Sequence, residues 1–254
     1  MSNEMFSLRG RRALITGASR GIGRAIAAGL AEAGAEVILV SRDQQELQRF
    51  AQTLQAEGAS AYVDSCDVSS CEEIHRLFRR LEAADRQPEI LVNNAATIRR
   101  NPPEETTAAE LSQVLDTNVK GTFLMAKEAS RRMIAKGYGK IINLSSVVAF
   151  GGGARASSYA ASKGAITALT QSLATAWACH GIRVNAIAPG YVQTDMTDVL
   201  YKDEGVRDAL LQRIPLGRWG RPGDLIGAAV FLASSASDYI TGHTLVVDGG
   251  WLAS

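Results

Sequence analysis

Seven short runs of apolar and β-branched residues recur along the chain with longer helical segments between them: RALIT at 12–16, VILV at 37–40, AYVDS at 61–65, EILVN at 89–93, KIINLS at 140–145, IRVNAIA at 182–188 and TLVVD at 244–248. Runs that stay apolar rather than alternating belong to strands buried on both faces, an environment that a parallel sheet covered by helices on either side supplies. The pattern predicts an α/β fold, a doubly wound parallel sheet of about seven strands with right-handed crossovers. No Pro/Ser linker, repeat or low-complexity tract interrupts residues 1–254, so one domain is expected.

Charge and composition narrow the function classes. The net charge of +1 gives no electrostatic footprint for nucleic acid or a membrane surface, and 46% hydrophobic content over 254 residues supports a large core. The start, MSNEMFSLRGRR, lacks an apolar signal core, and runs such as AAVFLA at 228–233 are far short of a membrane span, so a cytoplasmic protein is expected. Cys66, Cys71 and Cys179 form no CxxC, and His75, His180 and His243 are scattered, which predicts neither a disulfide framework nor a metal site.

Chemistry concentrates first in TGASRGIG at 16–23. Gly17, Gly21 and Gly23 have the spacing GxxxGxG rather than GxGxxG, since reading the latter from Gly21 places its third glycine on Ile26. Ile22, Ile26 and Leu30 recur at helical spacing and Gly34 closes the pattern, so residues 21–33 read as a helix entered from a strand through a glycine turn. Such an N-terminus offers unpaired N–H groups and positive potential, and the glycines let phosphate oxygens approach; Ser19 and Arg20 add donors. The next strand ends in Ser41 and Arg42, where an acidic reader of ribose hydroxyls would otherwise stand, and Asp43 follows as a helix N-cap before QQEL. A guanidinium beside a small hydroxyl suits a 2′-phosphate, which favours NADP(H), with NAD(H) as the alternative.

A second concentration is SSYAASKGA, where Tyr159 and Lys163 stand four apart on one helix face, and Ser146 ends the strand run KIINLS. Tyrosine is a poor base near its ordinary pKa, and an adjacent ammonium favours its phenolate.

With these motifs the chain resembles the short-chain dehydrogenase/reductase family over essentially its whole length. TGASRGIG is similar to the family's cofactor loop, CDV at 66–68 to its adenine-binding turn, NNAA at 93–96 to its NNAG motif and PGYVQT at 189–194 to the segment flanking the nicotinamide. Asn118 in DTNVKG, Ser146, Tyr159 and Lys163 match its catalytic tetrad. The resemblance implies a Rossmann-like fold in which Tyr159 exchanges a proton with the substrate oxygen, Ser146 orients that oxygen, Lys163 lowers the tyrosine pKa and holds the ribose, and Asn118 keeps the proton path open. It places Gly17, Ser19, Arg20, Gly21, Ile22, Gly23, Ser41, Arg42, Asp67, Val68, Asn94, Ala95, Ala96, Pro189, Gly190, Val192 and Thr194 against the cofactor, with Tyr159 and Lys163. Ala96 departs from the family's glycine, and a positive φ there would require a locally adjusted turn.

The pair Arg99 and Arg100 follows NNAA, and a guanidinium fork fits a carboxylate; Arg100 is the first choice for a substrate residue, beside Ser146 and Tyr159. With the tail from Arg213 onward, this is similar to the family's sugar-acid dehydrogenases. The implied reaction interconverts a secondary alcohol and a ketone, gluconate and 5-ketogluconate with NADP(H). The alternatives are an NAD-dependent 2-dehydro-3-deoxy-D-gluconate 5-dehydrogenase, a 3-oxoacyl-thioester reductase and a non-catalytic dinucleotide-binding regulator. Residues 191–216 read as a lid or a packed surface segment. The helix at 158–177 carries Lys163 as its one charge, which fits burial in the monomer or, by the resemblance, in a homotetramer that also uses the helix at about 108–136 and the C-terminus.

Overall fold

The computed structural model describes residues 4–254. Its strands are β1 (Arg12–Thr16), β2 (Glu36–Ser41), β3 (Ala61–Ser65), β4 (Ile90–Asn93), β5 (Gly139–Leu144), β6 (Ile182–Pro189) and β7 (Thr244–Val247). Each apolar run of the sequence is one of these strands, with ends displaced by no more than one residue. All pairings are parallel, in the order β3-β2-β1-β4-β5-β6-β7.

Two helical layers explain the apolar runs. Ala13 and Ile15 of β1 join a core with Ile26 and Leu30 of α1 (Gly21–Glu32), Leu47 and Phe50 of α2 (Gln44–Ala56) and Leu232 of α10 (Ile226–Ala233). Leu14, on the opposite face of the same strand, joins Leu77 of α3 (Cys71–Ala83), Met125 of α5 (Thr122–Lys136) and Leu173 of α7 (Ser157–Trp177). Side chains alternate across a strand, so every strand residue needs an apolar partner when both faces are covered.

The expected long helix at 108–136 is α4 (Ala108–Leu115) continuing through a π-helical turn, Asp116–Gly121, into α5. That turn carries Asn118, and π-turns recur at functional positions because they redirect one side chain from the regular helical path. A short helix α6 (Val148–Gly151) precedes α7, and the segment predicted as a lid contains α8 (Asp198–Lys202) and α9 (Glu204–Leu211). Within the monomer α7 buries a stripe running through Ser158, Ser162, Ile166 and Thr170, while Ala161 and Ala168 on its other side are exposed. Burial in the monomer alone therefore does not account for its low charge. None of the described helices is long and apolar enough to cross a membrane.

Candidate active site

The strand order reverses its direction of growth between β1 and β4, and in open parallel sheets ligands gather outside the carboxyl ends at such a point. Two side chains bind these ends together. Thr16 Oγ1 accepts from the N–H groups of Asn94 and Ala95, each at 3.0 Å, and Asn94 Nδ2 donates to the carbonyls of Thr16 (3.0 Å) and Gly17 (3.1 Å). Around this clamp the backbone packs so closely that a Cβ on Gly17 would lie 2.8 Å from Asn94 Nδ2, and one on Gly23 would lie 2.3 Å from the Gly17 carbonyl oxygen.

Helix α1 begins at Gly21 with neither a side-chain cap nor an acidic residue in its first turn, whereas α2, α3 and α4 are capped by Asp43, Ser70 and Thr107. An uncapped N-terminus leaves its N–H groups for an anion. Arg20 turns aside to pair with Asp195 at 3.1 Å, so it ties the glycine loop to the segment after Thr194. Where Gly21 would carry a Cβ, Thr194 Cγ2 is 3.5 Å away, and Val192 is buried just before it; Pro189 ends β6 and Gly190 packs against Asp248. Ser19 and Ile22 stand at the entry of α1.

At the far end of the crevice Asp43 accepts from Glu46 N (3.0 Å) and from its place at the head of α2 serves the helix. Arg42 is exposed, with Nη1 3.8 Å from Asp67 Oδ2, and Ser41 Oγ accepts from Asp43 N. Burial pushes the Asp67 carboxyl up, but hydrogen bonds from Ser69 and the Arg42 charge prevail and hold it below its ordinary value. Val68 is buried beside it. Ala96 has no positive φ; among described non-glycine residues only Asp85 and Arg155 do, so the expected adjustment of the turn is not needed.

The residues matched to the tetrad come from the π-turn (Asn118), the segment just after β5 (Ser146) and α7 (Tyr159 and Lys163). Asn118 Oδ1 accepts from Thr97 N (2.8 Å) while its Nδ2 donates to the Thr97 carbonyl (3.0 Å) and to Ser162 Oγ (2.9 Å). Ser162 Oγ in turn donates to the Tyr159 carbonyl (2.7 Å). The π-turn thereby straps the loop leading to Arg100 onto the helix that carries Tyr159. Sequence reasoning missed Ser162, a lone hydroxyl in an Ala-rich helix, although its position three residues after Tyr159 places both on one face.

Burial pushes the Tyr159 hydroxyl up to about 12, against the lowering influence of the Arg100 charge and then of the Ser146 hydroxyl. Burial pulls Lys163 down to about 8; its Nζ donates to the Leu144 carbonyl at 2.5 Å and lies 5.4 Å from the Tyr159 ring centroid. The Tyr159 hydroxyl therefore keeps its proton at neutral pH.

The adjacent arginines diverge. Arg99 donates to Gln113 Oε1 (2.6 Å) and to the Ile98 carbonyl, whereas Arg100 is half-buried, makes no described salt bridge and bears on Tyr159 and Tyr191. Desolvation lowers its pKa, a cost that an incoming anion would relieve. Tyr191 packs edge-on to Trp219 (5.5 Å) and Trp251 (4.7 Å), and with Leu200, Tyr201 and Ile214 they form an apolar cluster beneath residues 191–216. This wall also went unforeseen, because its members come from three separated segments.

A family model described as enoyl-(acyl carrier protein) reductase matches residues 17–252. The chain is 44% identical over 251 residues to 2-dehydro-3-deoxy-D-gluconate 5-dehydrogenase of Bacillus subtilis, covering 99% of this chain and 98% of that protein. It is 42% identical to gluconate 5-dehydrogenase of Gluconobacter oxydans over 97% of this chain and 96% of that one. The crystal structure of a gluconate 5-dehydrogenase from Burkholderia cenocepacia in complex with NADP and tartrate superposes with a TM-score of 0.97, at 40% identity and with complete coverage of both chains.

Proposed function

The chain belongs to the short-chain dehydrogenase/reductase family, and from that premise we propose that it interconverts gluconate and 5-ketogluconate with NADP(H) as the preferred dinucleotide. The observation that carries the substrate class is Arg100, half-buried near the proton donor and without an acidic partner. A guanidinium so placed suits a carboxylate better than the neutral chain of an acyl thioester. The relative crystallised with NADP and tartrate, a small hydroxy acid, supports the same class. The Bacillus relative keeps the deoxy-keto acid as the alternative substrate; Arg42, with Asp43 committed to α2, favours NADP over the NAD of that alternative.

The residues present fit a dinucleotide: the cradle at Gly17 and Gly23 leaves no room for a Cβ, and α1 offers uncapped N–H groups. When bound, the cofactor supplies or accepts the hydride. The glycine loop with Ser19 would hold its phosphates, Arg42 and Ser41 the 2′-phosphate, Asp67 and Val68 the adenine, Lys163 the ribose hydroxyls, and the stretch from Pro189 to Thr194 the carboxamide end. In ketone reduction Tyr159 donates its phenolic proton to the carbonyl oxygen, which Ser146 orients. The resulting phenolate is stabilised by the charges of Arg100 and Lys163. Asn118 fixes the loop and the helix relative to each other. A binding-only regulator would have no use for this proton-transfer set.

Residues 191–216 close over the substrate in this reading, with Tyr191, Leu200 and Ile214 facing inward and Val199 and Leu216 outward. The exposed Leu111, Phe123 and Ile134 of α4 and α5, with the small-residue side of α7, suit the contacts of a homotetramer. Light scattering should give about four times the chain mass; a monomer would sink this assembly.

Arg100→Met tests the substrate reading directly. Losing one charge-assisted contact of about 1.5–3 kcal/mol should raise KM for the sugar acid roughly 10- to 100-fold, while Arg99→Met leaves it unchanged. An unchanged KM in the Arg100 variant would remove that residue from the site.

A further inference from the structure

Helix α7 is held to the sheet differently from its neighbours. Helix α3 buries Ile74, Leu77 and Leu81, and α2 buries Leu47, Phe50, Ala51 and Leu54, all apolar. Among the residues that α7 buries, Ser158, Ser162, Lys163 and Thr170 are polar. The residues through which α7 joins the apolar core, Leu169, Leu173, Ala174 and Trp177, all lie in its second half. The half that carries Tyr159 and Lys163 meets β5 instead through two hydrogen-bonded rungs. In the first, Asn143 Nδ2 donates to Thr170 Oγ1 (2.9 Å), which donates to the Ile166 carbonyl (2.8 Å), while Asn93 Nδ2 donates to Asn143 Oδ1 (3.0 Å). In the second, Ser145 Oγ and Thr167 Oγ1 stand 2.9 Å apart, and each is 3.2 Å from the Lys163 carbonyl oxygen. Each hydroxyl has one hydrogen, so whichever donates to its neighbour leaves the other to donate to the carbonyl, and the ring is satisfied in either sense.

We infer that Ser145 and Thr167, with Asn143 and Thr170 behind them, are positioning residues: they fix the axial register of α7 on β5, and with it the reach from Ser146 to Tyr159. This rests on the proton-transfer reading above, in which those two residues act on one substrate oxygen. Ser146 belongs to the strand side of the ladder, because Ser145 N donates to the Ile187 carbonyl (2.8 Å) and Val147 N to the Pro189 carbonyl (3.0 Å), continuing the pairing with β6 past Leu144. Tyr159 and Lys163 belong to the helix side, and the Lys163 backbone is itself a member of the second rung. Apolar packing is non-directional and changes little when a helix slides by a fraction of an ångström, whereas hydrogen bonds weaken steeply with distance and angle. Group transfer is equally exacting, since a displacement of about 1 Å can cost about 10²-fold in rate. The ladder is also kept at a cost, for Asn93 Oδ1 is buried and accepts no hydrogen bond from a described residue. A contact that served stability alone would be better made of apolar side chains, as it is under α2 and α3.

The test is the double variant Ser145→Ala with Thr167→Val beside the single variant Thr167→Ser. The double variant empties the second rung from both sides and leaves no buried donor unpaired, and the Lys163 carbonyl keeps its helical N–H bond, so stability is spared. The inference predicts that kcat for 5-ketogluconate falls about tenfold while KM and NADP Kd stay within about twofold and Tm is no lower than in the wild type. Thr167→Ser keeps the hydroxyl and should retain kcat within about twofold. If the double variant does not fold, Thr167→Val alone decides, with an expected loss of about threefold in kcat at unchanged KM. A wild-type kcat in the variant that lacks the rung overturns the inference and leaves the sugar-acid reading standing. A loss of kcat that comes with a matching fall in Tm, and is equally present in Thr167→Ser, makes the ladder a folding element and overturns it as well. Wild-type protein without turnover on any sugar acid overturns the reading and the inference together.

Discussion

Tyr159→Phe is expected to lower kcat by about 10²- to 10⁴-fold, the range that positioned acid–base groups supply, with cofactor affinity changed by less than twofold. The variant removes one oxygen and keeps the ring. Apart from its contact with the Ser146 hydroxyl, that oxygen takes no part in the hydrogen bonds that hold the surrounding elements together: Ser162 donates to the Tyr159 carbonyl, Asn118 holds Thr97, and Lys163 holds Leu144. The loss therefore falls on the chemical step. The wild-type tyrosine, pushed up to about 12, is protonated at neutral pH, so ketone reduction begins from the required state while alcohol oxidation must begin from the scarce phenolate. Oxidation should consequently accelerate as pH rises from 7 to 9, and reduction should not. In Tyr159→Phe that acceleration disappears along with the rate. A variant that retains a tenth or more of the wild-type kcat would show that another group transfers the proton.

Gly23→Ala carries the second largest expected effect, and here the sign depends on two opposed magnitudes. Alanine favours a helix over glycine by about 0.5–1 kcal/mol. Against this, the new methyl would stand 2.3 Å from the Gly17 carbonyl oxygen and 2.4 Å from Asn94 Nδ2, and the first of these is backbone that cannot swing aside. Overpacking of this kind costs typically 1–3 kcal/mol, so the clash prevails. Relief requires moving either the glycine loop or the Asn94 clamp, and both shape the phosphate cradle. Cofactor Kd should rise at least about tenfold and Tm should fall by roughly 5 °C. Unchanged values of both would mean that the loop yields freely and does not define the cofactor site.

The sheet was legible because burial on both faces leaves a local trace. Runs such as VILV need no knowledge of their partners to be recognised, and Gly34, read as the end of the first helix, stands at φ +100° beyond α1. Asp43 likewise revealed its capping role through local spacing. What the sequence left open depends on direction and on contacts between distant segments. Arg99 and Arg100 are equivalent as letters, yet one reaches Gln113 and the other is desolvated near Tyr159. The motif marks Lys163 but says nothing of the Leu144 carbonyl that receives its ammonium, nor of the Arg100 charge that also bears on the tyrosine. Arg20, expected to help with a phosphate, is turned toward Asp195. The wall of Tyr191, Trp219 and Trp251 has no sequence period at all, since tertiary packing brings it together.

The central claim, hydride and proton exchange on a sugar acid, is tested most directly by following absorbance at the reduced-nicotinamide band with purified protein. The assay offers D-gluconate with NADP or NAD, and 5-ketogluconate with the reduced forms. Turnover in both directions, faster with the phosphorylated dinucleotide, is the predicted result. No change with either sugar acid and either cofactor would contradict the assignment, while faster turnover with NAD would keep the chemistry and overturn the role given to Arg42.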